Sequence, residues 1–197
     1  MIKNIIFDMG NVLLDYNPDV ILDQVCDTQE EKQIIKKELF AGPEWAMGDR
    51  GDITNAERFD LVKKRVPEKL HDKLRKCVEN WDVCMLPVKG AGEFMAYVKE
   101  KGYGLYVLSN AAIEFFQYFP RQIDMDFFDG IVVSAEVHML KPEIEIYRYL
   151  LESHHLKPQE CLFIDDREDN VKGAEKAGLK GFVFKEDFDK VKEELES

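Results

Sequence analysis

The sequence predicts an α/β fold, a doubly wound parallel sheet with one inserted block of helices. Two observations carry this prediction. Short runs of β-branched and aromatic residues alternate with segments of helical period along most of the chain, an order typical of parallel sheets whose strands are joined by helices. One stretch, residues 16–86, contains no strand-like run and interrupts this alternation directly after the first strand.

Each predicted strand is a short apolar run bounded by polar or turn-forming residues. The predicted strands are "NIIF" (4–7), "GLYVLS" (104–109), "GIVVS" (130–134), "CLFID" (161–165) and "GFVF" (181–184). Strands that alternate with helices in this order pair in parallel through right-handed crossovers.

Helices are predicted both between the strands and inside the insertion. In the α/β part they lie at 88–102, 142–156, 168–179 and 186–197, where apolar residues recur every three or four positions. The insertion is predicted to hold helices near 18–26, 28–40, 54–65 and 68–82. We therefore expect a core formed by 1–15 and 87–197 and a helical cap formed by 16–86.

Charge and composition narrow the function classes. The formal net charge of −12 disfavours nucleic acid and anionic membrane surfaces as partners, because both would repel the protein. No apolar run approaches the roughly 20 residues of a membrane helix, and no signal peptide is predicted. The four cysteines show no metal-ligand spacing and are expected to be buried thiols. We expect a cytoplasmic protein, and the sequence leaves its oligomeric state open.

Polar side chains follow four of the predicted strands. The residues are Asp8, Ser109, Asn110, Lys141, Asp165, Asp166 and Asn170. Ligands of doubly wound sheets bind beyond the carboxyl ends of the strands, so these side chains should converge at one edge. Each alone is readily explained as a helix cap or a surface lysine. Their joint placement at successive strand ends predicts a site.

These segments resemble the motifs of the haloacid dehalogenase-like hydrolase superfamily. The matching stretches are "IIFDMGNV", "VLSN", "LKPE" and "FIDDREDN", and the helical block at 16–86 is similar in position and size to the family's small cap. The resemblance implies a Rossmann-like core and phosphatase activity. Within the superfamily the chain looks most similar to small bacterial phosphatases that act on sugar phosphates.

The nucleophile and the metal site are assigned first. Asp8 can attack phosphorus and form an aspartyl-phosphate, which divides one difficult step into two. The carboxylates of Asp8 and Asp166, with the backbone carbonyl of Gly10, form a hard oxygen site suited to Mg²⁺. The metal allows an anionic nucleophile to approach an anionic phosphate ester.

The remaining residues are assigned to phosphate binding and support. Ser109 and the amide of Asn110, placed at a predicted helix start, can hold phosphate oxygens. Lys141 supplies a positive charge to the phosphate and to Asp8. Asp165 and Asn170 are expected to orient these groups without contacting the substrate.

Gly10 departs from the family pattern. The usual second aspartate of the first motif, two residues after the nucleophile, protonates the leaving group, and glycine has no side chain for this task. Asp15 is one possible substitute, and Glu44, Trp45 and Asp49 of the cap are others. With no acid in place, rates should depend steeply on the acidity of the leaving group.

Three other functions stay open at this point. A 2-haloacid dehalogenase also lacks the second aspartate, but it needs no metal, whereas the acidic pair at 165–166 favours one. A receiver domain uses similar groups in a different chain order and without a helical insertion. A phosphate-binding protein with little or no turnover is the third, and Gly10 is its only support.

Overall fold

A computed structural model describes residues 1–196. The strands are β1 (Asn4–Phe7), β2 (Leu14–Tyr16), β3 (Met85–Pro87), β4 (Gly104–Ser109), β5 (Gly130–Val133), β6 (Cys161–Asp165) and β7 (Lys180–Val183). The main sheet has the order β5–β4–β1–β6–β7, and all its neighbouring strands are parallel. The predicted doubly wound parallel sheet is therefore confirmed.

Eleven α-helices are present within residues 1–196. They are α1 (Asp19–Val25), α2 (Gln29–Ile35), α3 (Pro43–Arg50), α4 (Asn55–Val62), α5 (His71–Asn80), α6 (Ala91–Glu100), α7 (Phe115–Gln122), α8 (Ser134–Val137), α9 (Ile144–Ser153), α10 (Glu168–Lys176) and α11 (Phe188–Glu196). Ser197, the last residue of the predicted tail helix, lies outside the described residues.

Both faces of the sheet are covered by helices. Successive side chains of a strand point to opposite faces. Ile5 of β1 accordingly packs in one apolar cluster with Phe94 of α6 and Phe119 of α7, and Ile6 packs in another with Tyr147 of α9. This two-sided burial explains why the core strands are continuous apolar runs instead of alternating ones.

The helices α1–α5 have an apolar cluster of their own. It includes Leu22, Ile35, Leu39, Phe59, Val62, Leu74, Cys77 and Val78. Arg58 of α4 is also buried in this region, where it donates to Asn55 Oδ1 at 2.7 Å and lies over the ring of Trp45. The amphipathic pattern that predicted these helices therefore reflects packing among the inserted helices.

The helix α3 was not predicted. Its segment contains Gly42, Pro43, Gly48 and, just after its end, Gly51, which together favour a turn. In the structure Pro43 is the first helical residue, where its missing N–H costs nothing, and Gly51 ends the helix in the left-handed region (φ 78°). The same residues therefore bound a helix instead of breaking one.

The expectation that residues 16–86 contain no strand was wrong at both ends. β2 and β3 form a separate antiparallel ribbon in which Asp15 lies opposite Leu86. Each strand has only three residues, too few for an alternating pattern to be recognised. The ribbon joins the two ends of the inserted helices to the core.

The inserted helices contact the core through α3 and α8. The Ser134 hydroxyl of α8 donates to the carbonyl of Asp49, and a ring nitrogen of His138 lies 3.0 Å from the carbonyl of Arg50. The Arg50 side chain also pairs with Glu143 at 2.7 Å. These contacts hold the C-terminal end of α3 against the edge of the sheet where the strands end.

No helix in residues 1–196 combines the length and the apolar character needed to cross a membrane.

We predict that Gly48→Ala destabilises the protein, because a methyl group at Gly48 would overlap the buried guanidinium of Arg58. Overpacking of this kind costs about 1–3 kcal/mol, more than the roughly 0.5–1 kcal/mol that alanine gains over glycine in a helix. The measurement is the free energy of unfolding in urea.

Gly92→Ala in α6 is the matched control. A methyl group there meets no atom within 4 Å, so this variant should be as stable as the wild type or slightly more stable. Equal free energies of unfolding for the two variants would contradict the packing assigned to Gly48 and Arg58.

Candidate active site

The loop after β1 places Asp8 at the edge of the sheet. The Asp8 N–H still donates to the Ile164 carbonyl at 2.8 Å, so its backbone continues the strand. The chain then turns tightly, and the Met9 carbonyl accepts from the N–H groups of Leu13 and Leu14, both at 2.9 Å. Asp8 is 8% exposed, and its Oδ1 accepts from the Met9 N–H at 2.7 Å.

Asn11 ties this loop to the end of β6. Its φ of 55° lies in the left-handed region, which asparagine tolerates better than most residues. Its side-chain amide donates to Asp166 Oδ2 at 3.0 Å, and its carbonyl oxygen accepts from the Tyr16 N–H at 3.1 Å. Asn11 was not among the predicted site residues, although an asparagine after glycine is a signal of a turn.

Lys141 lies between two carboxylates. Its ammonium is 2.7 Å from Asp8 Oδ1 and 2.8 Å from Asp165 Oδ2, and its side chain is 1% exposed. A buried ammonium requires such partners, because leaving it unpaired costs several kcal/mol. The loop after α8 is thereby bonded to the ends of β1 and β6.

Burial and the neighbouring charges shift the pKa values of Asp8 and Lys141. It raises the pKa of Asp8 to about 7, against the opposing effect of Lys141, and the neighbouring carboxylate of Asp165 raises it further. Burial alone would lower the pKa of Lys141, but Asp8 and Asp165 outweigh it, so the pKa of Lys141 is raised. Lys141 therefore remains a cation at neutral pH.

Three carboxylates lie close together at this edge. Asp8, Asp165 and Asp166 each offer an oxygen, and these oxygens lie within 4.8 Å of one another. The oxygens of Asp165 are already engaged by Lys141, the Arg167 N–H at 2.8 Å and the Asn170 amide at 3.0 Å. A divalent cation fits this cluster for two reasons. Its positive charge would offset the repulsion among the three carboxylates, and carboxylate oxygens are hard ligands of the kind that such cations prefer.

The side chain of Asn110 bonds to the backbone of Lys141. Its side-chain amide donates to the Lys141 carbonyl at 3.0 Å, and its side-chain oxygen accepts from the Lys141 N–H at 2.9 Å. The predicted helix start at Asn110 is wrong, because α7 begins only at Phe115 and the Ala111 N–H donates instead to the Ser134 hydroxyl. The Asn110 side chain thus positions Lys141.

Ser109 is fully buried, and its hydroxyl has no hydrogen-bond partner within residues 1–196. The same holds for the side-chain oxygen of Asn170. Buried polar atoms of this kind are rare in proteins and generally indicate a bound water, ion or ligand.

A cavity of about 450 Å³ opens above Asp8, a size suited to a small molecule. Of the predicted site residues, Asp8, Gly10, Asn110, Lys141, Asp166 and Asn170 line it. Ser109 and Asp165 do not line it, and both have 0% exposure. The predicted residues are thus brought together at one place, with these two behind the cavity wall.

Aromatic side chains form much of the remaining wall, and sequence reasoning missed most of them. They are Tyr16, Phe40, Trp45, Trp81 and Tyr118. Trp45 packs edge to face on Trp81 with ring centroids 5.2 Å apart, and Trp81 packs similarly on Tyr118 at 5.1 Å. The buried hydroxyl of Tyr16 has no partner within residues 1–196. These residues come from distant segments, so no local pattern could have identified them together.

The comparisons with known proteins agree with this geometry. Residues 2–178 match the family model described as haloacid dehalogenase-like hydrolase. The chain therefore belongs to the haloacid dehalogenase-like hydrolases, and the family expected from its motifs is confirmed.

Three individual proteins illustrate the similarity, with sequence identities between 24% and 28%. A sesquiterpene phosphatase, astK, of Aspergillus oryzae is 28% identical over 91% of this chain and 88% of its own length. The glyceraldehyde 3-phosphate phosphatase of Methanocaldococcus jannaschii is 27% identical over 91% of this chain and 83% of its own length. A Bacteroides thetaiotaomicron family enzyme, bt-2542, crystallised with magnesium and inorganic phosphate, shares the fold with a TM-score of 0.72 at 24% identity over 97% of this chain and 99% of its own.

We predict that Asn110→Ala destabilises the protein by about 1–3 kcal/mol, because two hydrogen bonds to the Lys141 backbone are lost and their partners stay half-buried. Urea denaturation measures this loss. Asn80→Ala removes one exposed hydrogen bond, to the Lys76 carbonyl, and should change stability by no more than about 0.5 kcal/mol. Equal losses in the two variants would contradict the role given to Asn110.

Proposed function

We propose that the protein is a Mg²⁺-dependent hydrolase of small phosphomonoesters that forms an aspartyl-phosphate on Asp8. One observation carries the proposal: Asp8 stands at the floor of a ligand-sized cavity, paired with the buried ammonium of Lys141 and within reach of Asp166. A carboxylate in this setting can act as a nucleophile toward a phosphate group that the lysine helps to bind.

The reaction proceeds in two transfers. An oxygen of Asp8 attacks phosphorus, the bond from phosphorus to the leaving oxygen breaks, and the leaving oxygen takes a proton. Water then attacks phosphorus, the bond from phosphorus to Asp8 breaks, and inorganic phosphate departs. Lys141 stabilises the negative charge on the phosphoryl oxygens, while Asp165 holds its ammonium and Asn110 holds its backbone.

Phosphate oxygens are held by the end of β4. The main chain at Asn110, which lines the cavity, is the group proposed for this task, since the Asn110 side chain is engaged with Lys141. The sequence also assigned the Ser109 hydroxyl to phosphate binding, but that hydroxyl, although unpartnered, lies behind the cavity wall. Asp165 and Asn170 serve as orienting residues: Asp165 accepts from the Lys141 ammonium, and the Asn170 amide donates to Asp165.

Mg²⁺ would be held by Asp8, Asp166 and the Gly10 carbonyl, and it would neutralise charge between the nucleophile and the phosphate. Three carboxylates with mutually close oxygens support this assignment. The bt-2542 structure, whose complex contains magnesium and inorganic phosphate, is consistent with it.

The substrate is a small phosphomonoester, a class that includes the sugar phosphates implied by the sequence motifs. Phosphatase relatives support this class, and the aromatic wall offers flat apolar surfaces for the leaving group.

We also propose that 16–86 acts as a cap on the core formed by 1–15 and 87–197, since the inserted helices have their own apolar cluster. The four buried free thiols fit a reducing compartment such as the cytoplasm.

We predict that Asp166→Asn weakens Mg²⁺ binding about tenfold or more, because a charged oxygen ligand is replaced by a neutral amide. Calorimetric titration with MgCl₂ measures the affinity. Asp169→Asn makes the same change in charge at an exposed position outside the carboxylate cluster and should leave the affinity unchanged. Undiminished affinity in Asp166→Asn would refute the metal assignment.

We predict that Asp8→Asn abolishes turnover of phosphomonoesters, because the amide keeps the shape of the side chain but lacks the attacking charge. Hydrolysis of a panel of phosphomonoesters with and without Mg²⁺ is the assay. In the wild type, beryllium trifluoride should form its adduct on Asp8, and an adduct on another residue would overturn the mechanism. Release of halide from 2-haloacids without metal would instead favour a dehalogenase.

A further inference from the structure

The proposed reaction needs a proton donor that the first motif does not contain. Expelling an alcohol from a phosphomonoester requires a proton on the leaving oxygen, since an alkoxide is a poor leaving group. Position 10, two residues after Asp8, is glycine. The donor, if one is present, must come from another part of the cavity.

Three of the four residues considered as substitutes are unsuited to this role. Asp15 is exposed on the β2–β3 ribbon and does not line the cavity. Both carboxylate oxygens of Glu44 are held by Arg65, at 2.8 and 2.7 Å, which lowers the pKa of Glu44. Trp45 lines the cavity, but its indole does not exchange protons at neutral pH.

Asp49 remains, and its position is suitable. It lines the cavity on the cap side, one helical turn after Trp45 on the same face of α3. Its carbonyl accepts from the Ser134 hydroxyl, so its backbone is anchored to the core. Within residues 1–196 no hydrogen-bond donor or cation is bonded to its carboxyl group, which leaves that group available to a bound molecule.

The surroundings of Asp49 favour a protonated carboxyl group. Burial raises the pKa of Asp49 to about 7, Arg58 opposes this effect, and the charges of Asp8 and Glu114 add to it. The other titratable neighbours are the phenols of Tyr16 and Tyr118, whose pKa values are themselves raised, mainly by burial. A carboxylic acid kept partly protonated near neutral pH is the form that a proton donor requires.

We propose that Asp49 is the general acid and base of this active site. Its carboxyl proton passes to the leaving oxygen as the bond from that oxygen to phosphorus breaks and the bond from Asp8 to phosphorus forms. Its carboxylate then takes a proton from the water that attacks the aspartyl-phosphate, and the acid form is restored. The assignment rests on the proposed phosphohydrolase function, and it gives the cap a direct part in the chemistry.

Gly10 provides a means of testing this assignment. A methyl group built on Gly10 meets no atom within 4 Å, and the backbone there is not in the left-handed region. The first carbon of a side chain is therefore accommodated at position 10, which lies on the cavity wall with Asp8, and we expect an aspartate introduced there to reach the cavity. Such a carboxylate would restore an acid if Asp49 has been removed.

The experiment compares kcat/KM for phosphomonoesters under saturating Mg²⁺, with leaving groups that range from 4-nitrophenol to primary alcohols. The wild type should show a shallow dependence on leaving-group pKa. Asp49→Asn should keep its kcat/KM for 4-nitrophenyl phosphate within about threefold, because this leaving group needs little protonation and kcat/KM reports only the steps up to its departure, before Asp49 acts as a base. Its activity toward primary-alkyl phosphates should fall about 10²–10⁴-fold, the usual contribution of general acid catalysis.

Two further variants complete the test. The double variant Gly10→Asp, Asp49→Asn should have a kcat/KM for alkyl phosphates at least tenfold higher than that of Asp49→Asn alone. Asp52→Asn, an equal change in charge at an exposed residue near the end of α3, should match the wild type with every ester. In the wild type, kcat/KM for alkyl esters should decline as pH rises above about 7, where Asp49 loses its proton, and Asp49→Asn should lack this decline.

Several results would overturn the assignment. Asp49→Asn could lose activity equally with aryl and alkyl esters, or change only KM, and either result would mean that Asp49 merely positions the substrate. Undiminished alkyl activity in Asp49→Asn, or a steep dependence already in the wild type, would show that Asp49 donates no proton. In these cases the phosphohydrolase function still stands, whereas a wild type that hydrolyses no phosphomonoester with Mg²⁺ would refute both proposals.

Discussion

The ammonium of Lys141, buried between Asp8 and Asp165, is the interaction on which the rest of the site depends. A charge that is 1% exposed is tolerated only with close partners of opposite sign, and both carboxylates lie within 2.8 Å of it. Asp8 follows β1, Asp165 ends β6 and Lys141 lies in the loop after α8, so the ion pairs form only when the sheet has its observed order. Asn110 then fixes the backbone of Lys141 from the end of β4. The strand order and the arrangement of the site therefore depend on each other.

The sheet edge and the inserted helices line the cavity with different kinds of side chain. The sheet edge provides charge: three carboxylates, one ammonium and a buried hydroxyl. The inserted helices and the ribbon provide Trp45, Phe40 and Tyr16, which face the same cavity with largely apolar surfaces. A phosphate group suits the first environment and a leaving group the second. Under the proposed function, the aromatic wall would contact the leaving group.

The contact between α3 and α8 connects these two environments. It anchors the end of α3 through the Asp49 carbonyl and the Arg50–Glu143 ion pair. Gly51 packs so closely against the Ala135 carbonyl that a side chain there would clash, and its left-handed backbone further favours glycine. Together with the β2–β3 ribbon, these contacts at the end of α3 hold the inserted helices against the core.

The sequence by itself determined the sheet and the residues at its edge. Apolar runs, helical periods and polar residues after strands are local patterns, and local patterns sufficed to bring Asp8, Lys141 and Asp166 to one site. Only the tertiary structure decided what surrounds them. The glycines and the proline of the α3 segment favour a turn in the sequence, so this helix was not predicted. The partner of Asn110 lies 31 residues away, and the aromatic wall is assembled from distant segments. The same holds for Asp49, which lines the same cavity as Asp8 because the inserted helices pack against the core, and no spacing along the chain encodes a contact between two separate apolar clusters.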